Sequence, residues 1–200
     1  MKTFSVARYC LILALFLYQY LNAAIVSAYV MGLIGLVGVT VFQLAYLGSL
    51  IILVYRKKQE ACTRSTSLIW FGTGFLVLLL VSYLVSLISS VSSSNQEALL
   101  QVFGQLPVPT IVLFLINASI VEELVYRGLL WEVLPGLVSK VVVTSMGFAL
   151  AHQPDSFTSF ILYASMGLVL GTVRHQAGLK MAIGLHTLWN IFVLGLTQLV

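Results

Sequence analysis

Residues 9–55 contain no Lys, Arg, Asp or Glu, a run of 47 positions. A water-soluble domain carries about a quarter of its residues as charges and has no room for such a run. The hydrocarbon core of a bilayer takes about 20 apolar residues per helical span, so this run predicts two spanning helices joined by a tight turn. Composition extends the argument to the whole chain. Of 200 residues, 60% are hydrophobic and 8% charged, which excludes a separate soluble domain. The net charge of +4 does not point to nucleic acid, because the basic residues lie at span ends, where orientation signals lie. Cys10 and Cys62 are too few to form a disulfide framework.

The pattern predicts an all-α, polytopic transmembrane helix bundle of about seven spans. Gly32, Gly35 and Gly38 fall where they loosen or pack the second helix. The segment 56–67 carries Arg56, Lys57, Lys58 and Arg64 against Glu60; short basic loops stay cytoplasmic, and Lys2 and Arg8 put the N-terminus on the same side. A third span covers 68–91 and ends in a serine cluster, followed by an external loop whose one charge is Glu97. Pro107 and Pro109 open a fourth helix reaching 111–130, since proline is tolerated in a first turn. Further spans cover 137–151, 157–173 and 181–199, with Arg174 and Lys180 flanking the last turn and the C-terminus outside. A signal peptide over residues 2–28 ranks second, because the apolar run continues past any cleavage point. Residues 1–105 thus form transmembrane spans without motifs, and residues 106–200 a core that carries the chemistry.

Four of the six acidic residues and all three histidines follow position 120. Glu122 and Glu123 fall about fourteen residues into the fourth helix, roughly 20 Å along it and deep in the slab. Ionisable groups there are costly and face a cavity, a partner or water. Arg127, four residues after Glu123, is its partner on one helical stripe; Glu122 points about 100° away and stays free to act as a base. His152 ends the fifth span one turn after Phe148. His186 and Asn190 share a face of the seventh. Burying these groups costs least if they cluster in one hydrated cavity. His175, beside Arg174, reads as an exposed interfacial residue.

Glu122-Glu123-x-x-x-Arg127, Phe148-x-x-x-His152 and His186-x-x-x-Asn190, in that order on successive spans and with Gly128 after the arginine, resemble the motifs of the CPBP intramembrane proteases, also called the Abi or CAAX protease family. The resemblance covers about residues 110–196. It implies an intramembrane endopeptidase in which Glu122 and His152 activate a water, His186 and Asn190 bind the developing oxyanion, and Glu123 and Arg127 support the site. The implied partners are the lipid bilayer and a lipidated protein, another membrane-associated protein or a bacteriocin-type peptide. The implied location is the plasma membrane of a bacterium, where some relatives serve bacteriocin immunity. A divalent metal such as zinc on Glu122, His152 and His186, as in a metalloprotease, and a metal-independent glutamate mechanism both remain open. A proton-relay transporter and a non-catalytic immunity or scaffold protein are the alternatives; the absence of inverted-repeat halves weighs against the first.

Depth sets a harder condition. A helix ending at 130 places Glu122 roughly 10 Å from the cytoplasmic face, whereas a straight helix from 137 lifts His152 roughly 22 Å. Convergence then requires the segment 128–136, broken by Pro135, to fold back at the cytoplasmic surface, the helices to tilt or be staggered, and a water-filled cavity that opens on the cytoplasmic face. Gly167 and Gly171 form a step for close helix approach, as do Gly184 and Gly195. Trp70 suits an interface, and Trp189 the core or a cavity wall.

Overall fold

The computed structural model describes residues 6–57, 63–88 and 94–197. Cys62, Lys2, Lys58, Glu60 and most of the serine cluster lie outside them. The described residues form α1 (Val6–Val30), α2 (Leu36–Arg56), α3 (Arg64–Ile88), α4 (Ser94–Phe103) and α5 (Val108–Glu123), which continues through a π-helical segment (Leu124–Leu130) into the single turn α6 (Trp131–Val133); α7 (Leu137–Ala151), α8 (Phe157–Ala177) and α9 (Leu179–Thr197) follow. Six helices are long and apolar enough to cross a membrane, and the 15-residue α7 is a shorter apolar helix. Large side chains point outward all round the bundle, Ile88, Val37, Val138 and Phe157 among them. Helices apolar on every face belong in hydrocarbon, and the chain is an integral multi-pass membrane protein.

Several boundaries differ from the sequence reading. Gly32 adopts φ +73 in the turn after α1 and Gly35 is the N-cap of α2, so two of the three glycines make the hairpin turn rather than loosen the helix. The loop around Glu97 contains α4, a ten-residue helix too short and polar to show as a span. Residue 128 breaks nothing: α5, the π segment and α6 run on as one span, Val108–Val133, and the chain turns only at Pro135 and Gly136, where Gly136 has φ +64. α8 likewise runs past residue 173 to Ala177, so Arg174 is a buried helical residue rather than a turn flank. His175 is exposed, as expected.

The second half packs tightest. Gly167 on α8 sits so close to α7 that an added Cβ would lie 2.8 Å from Ser145 Cα. Gly74 on α3 is pressed against Leu185 and Val173. Gly171 makes ordinary contact with Val141, Gly184 meets Phe71, and Gly195 faces open space, so it makes no close step. Trp70 packs, half-buried, on the central cluster of Leu78, Phe148, Leu170, Val173 and Leu185, and Trp189 lies within that cluster. The α1–α2 hairpin joins through buried polar bonds: Asn22 Nδ2 donates to the Phe114 carbonyl, and Asn117 Nδ2 donates to Gln43.

One end of the bundle is basic. Lys57 pairs with Glu132 at 2.9 Å, Lys140 and Arg174 lie over the Trp131 ring, and Lys180 lies over Tyr55. This end gathers the close of α2, the start of α3, the α6–α7 turn and the α8–α9 turn, and its rings are where interfacial aromatics belong.

Candidate functional site

The π segment begins immediately after Glu123. Its ladder slips from i−4 to i−5, as where Trp131 N–H bonds to the Tyr126 carbonyl, a local widening common at functional sites. The Arg127 carbonyl within it accepts a 2.9 Å bond from Arg174 Nε. Arg127 itself is fully buried: Nη1 donates to Glu123 Oε1 and Nη2 to the Gly167 carbonyl, each at 2.9 Å, and the guanidinium lies 4.8 Å from the centre of the Phe148 ring. Glu123 is equally buried and also accepts from His186 Nδ1 at 3.1 Å. One carboxylate thus ties α5 to α9, while its arginine ties α5 to α8.

Glu122 faces the other way. Its Oε2 lies 3.9 Å from His152 Nε2 and 3.9 Å from His186 Nε2, and it is buried with no hydrogen-bond partner among the described residues. The partners of the other ring nitrogens set the tautomers. His152 Nδ1 sits 2.8 Å from the Phe148 carbonyl and can only donate there; His186 Nδ1 donates to a carboxylate. In the neutral imidazoles both Nε2 atoms are therefore acceptors, and three lone-pair acceptors converge where something must donate to them. The His152 ring is held between Phe148 and Tyr163, each centroid 4.4 Å away, with Tyr163 stacked on it.

Two imidazole nitrogens and a carboxylate oxygen are a donor set that zinc takes. However, ligands about 2.0–2.1 Å from a tetrahedral ion stand about 3.3 Å apart, closer than 3.9 Å. Among the described residues no group of three His, Cys, Asp or Glu is placed to hold a metal ion. Acceptors 3.9 Å apart are instead spanned by one water at ordinary hydrogen-bond lengths.

Asn190, one turn after His186, donates from Nδ2 to Ser119 Oγ at 3.0 Å, and Ser119 in turn donates to the Leu115 carbonyl. Glu122, His152, His186 and Asn190 all line one cavity of about 730 Å³. The structure therefore brings together the four residues read from the motifs, with Glu123 and Arg127 behind them. Depth is reconciled with the fold-back confined to the turn at Pro135 and Gly136. Extension of the α5 span to Val133 puts Glu122 eleven residues, roughly 16 Å, from its end, against roughly 22 Å for His152 along α7. Side chains lean toward their helix N-terminus, and α5 and α7 run in opposite directions, so the two lean toward each other across the remaining gap.

Sequence reasoning missed Ser119, Tyr163 and the inward role of Arg174. Serine and tyrosine are unremarked in a span, and an arginine at a span end reads as an orientation signal. Ser119 alone carried a hint, lying three residues before Glu122 and four before Glu123.

Comparison with known proteins adds a family. Residues 104–192 match the family described as type II CAAX prenyl endopeptidase Rce1-like. The chain is also 29% identical over 127 residues to the UPF0177 protein YvdC of Lactococcus lactis subsp. lactis (strain IL1403), covering 60% of this chain and 49% of that protein. It therefore spans about half the length of the curated relative it matches. No solved structure matches it.

Proposed function

We propose that the chain, whose residues 104–192 match the family described as type II CAAX prenyl endopeptidase Rce1-like, is an intramembrane endopeptidase that hydrolyses a peptide bond of a membrane-associated or lipidated substrate with water activated by Glu122. The observation that carries this reading is the unpartnered Glu122 Oε2 set 3.9 Å from the Nε2 atoms of both His152 and His186. A water held there donates to the carboxylate and to an imidazole, leaving its oxygen lone pair for the scissile carbonyl.

In the first step the water oxygen bonds to the carbonyl carbon, its proton passes to Glu122, and the carbonyl π electrons move onto oxygen. Asn190 has one amide N–H on Ser119 and a second for that oxyanion, and His186, held by Glu123 through Nδ1, lies one turn before it beside the same oxygen. Collapse of the tetrahedral species expels the amine, which takes the proton from Glu122. His152, clamped by Phe148 and Tyr163, orients the water and shares the proton. No step requires a bound metal.

The test is reconstitution in lipid vesicles with a farnesylated CAAX peptide and with an apolar leader peptide, products being read by mass spectrometry. Glu122→Gln preserves shape and should lower cleavage by about 10²–10⁴-fold with unchanged thermal unfolding. Cleavage that survives Glu122→Gln would overturn the reading, and proton-coupled solute uptake without cleavage would favour a transporter.

A further inference from the structure

The cavity is not centred in the bundle. On α3 its wall uses Leu78, Ser82 and Ser86, the first of these fourteen residues, about 21 Å, beyond Arg64 at the basic end. On α8 the lining residue nearest the basic end is Met166, eleven residues, about 16 Å, from Ala177. On the span Val108–Val133 it is Tyr126 of the π segment and on α9 His186, each seven residues, about 10 Å, from the end of its span at the basic side. The lining includes nothing from α2 or from the α6–α7 and α8–α9 turns, and it extends past Ser86 and Leu196 to Leu99 and Phe103 of α4. The cavity thus has its floor at mid-depth and extends toward the end opposite Lys57, Lys140, Arg174 and Lys180. The sequence expectation put the opening on the basic side, whereas the lining lies toward the other end.

Apart from buried Arg127, every described lysine and arginine lies at the basic end or, for Arg8, at the start of α1, while Asp155 and Glu97 lie at the other end. Such asymmetry places the basic end in the cytoplasm. We infer that the site is reached from the non-cytoplasmic side, so that its substrate class is an apolar peptide segment presented outside the cytoplasm, either exported or on the outward part of a membrane protein. The term substrate rests on the peptidase reading; the access route does not.

Ser82 tests the route, because its side chain lies on the cavity wall roughly 9 Å below the end of α3, where a water-filled path alone brings a charged reagent. In a background with Cys10→Ser and Cys62→Ser, single variants Ser82→Cys, Lys57→Cys and Lys180→Cys are exposed in intact bacterial cells to a membrane-impermeant maleimide. Ser82→Cys should be labelled in intact cells, and the two lysine variants only after permeabilisation. Labelling of the lysine variants in intact cells would overturn the inference, as would a Ser82→Cys that stays unlabelled or reacts only after permeabilisation. Right-side-out vesicles should likewise cleave an added apolar peptide at least tenfold faster than inside-out vesicles. External labelling of Ser82→Cys without any Glu122-dependent cleavage would sink the peptidase reading and leave the route standing; Glu122-dependent cleavage with inverted labelling would do the reverse.

Discussion

Replacing Arg127 by Met tests the support beneath the site, since the change retains an unbranched apolar stem while removing the charge and both of its hydrogen bonds. Arg127 and Glu123 are each 0% exposed and 2.9 Å apart. The variant would leave Glu123 as a buried carboxylate held by His186 alone and would strip the Gly167 carbonyl of its donor. Breaking one side of a buried pair costs about 3–5 kcal/mol. At about 2–4 °C per kcal/mol for a chain of this length, Arg127→Met should lower Tm by roughly 6–20 °C in thermal unfolding followed by circular dichroism in detergent. Glu123→Gln, which strands the guanidinium instead, should cost a similar amount. The discriminating protein is the double variant Glu123→Gln/Arg127→Met. Neither charge is then left buried, so its loss should fall well short of the sum of the singles, with a coupling of at least about 1 kcal/mol. Additive losses, or single variants that melt within about 2 °C of the parent protein, would refute the claim that this pair is a mutually dependent buried unit.

Gly167→Ala should destabilise by about 1–3 kcal/mol, read by the same melt, because its Cβ would collide with the α7 backbone at Ser145; Gly195→Ala, facing open space, should be neutral. Ser119→Ala should reduce kcat about tenfold with little change in KM, since one hydrogen bond orients Asn190, and should have no effect on an Asn190→Ala background. Chelation by 1,10-phenanthroline should leave the cleavage rate unchanged, and added zinc should not raise it, given the 3.9 Å spacing of the donors.

The amphipathic signals that reveal elements in a soluble protein are missing here, yet the chain's organisation was legible from its charges. Where almost every residue is apolar, the few polar ones are costly enough to be informative, and Glu122, Glu123, Arg127, His152, His186 and Asn190 converge because burying them separately would cost more than burying them together. What was not legible has a common cause: backbone events that leave no compositional trace. The π segment lies in Leu124–Leu130, where Arg127 and Gly128 mark the site but nothing in the residue pattern marks the change of ladder. Ending the span at 130 rather than Val133 raised the apparent depth conflict. Short α4 was hidden by the assumption that a polar connection is a loop.

Arg174 shows why a position in sequence does not define a role. Counted as a charge at a span end, it serves only orientation; seated in α8, it donates to the Arg127 carbonyl inside the π segment and lies over Trp131. The basic end of the bundle is therefore coupled to the site through consecutive contacts: from Trp131 to Arg174, from Arg174 to the Arg127 backbone, and from the Arg127 side chain to Glu123 and on to His186. Each link is a hydrogen bond or ring contact between buried groups, so a shift at Trp131 has a continuous packed route to the imidazole opposite Glu122. The basic half of the bundle thus holds the geometry of the site through a chain of buried polar and ring contacts.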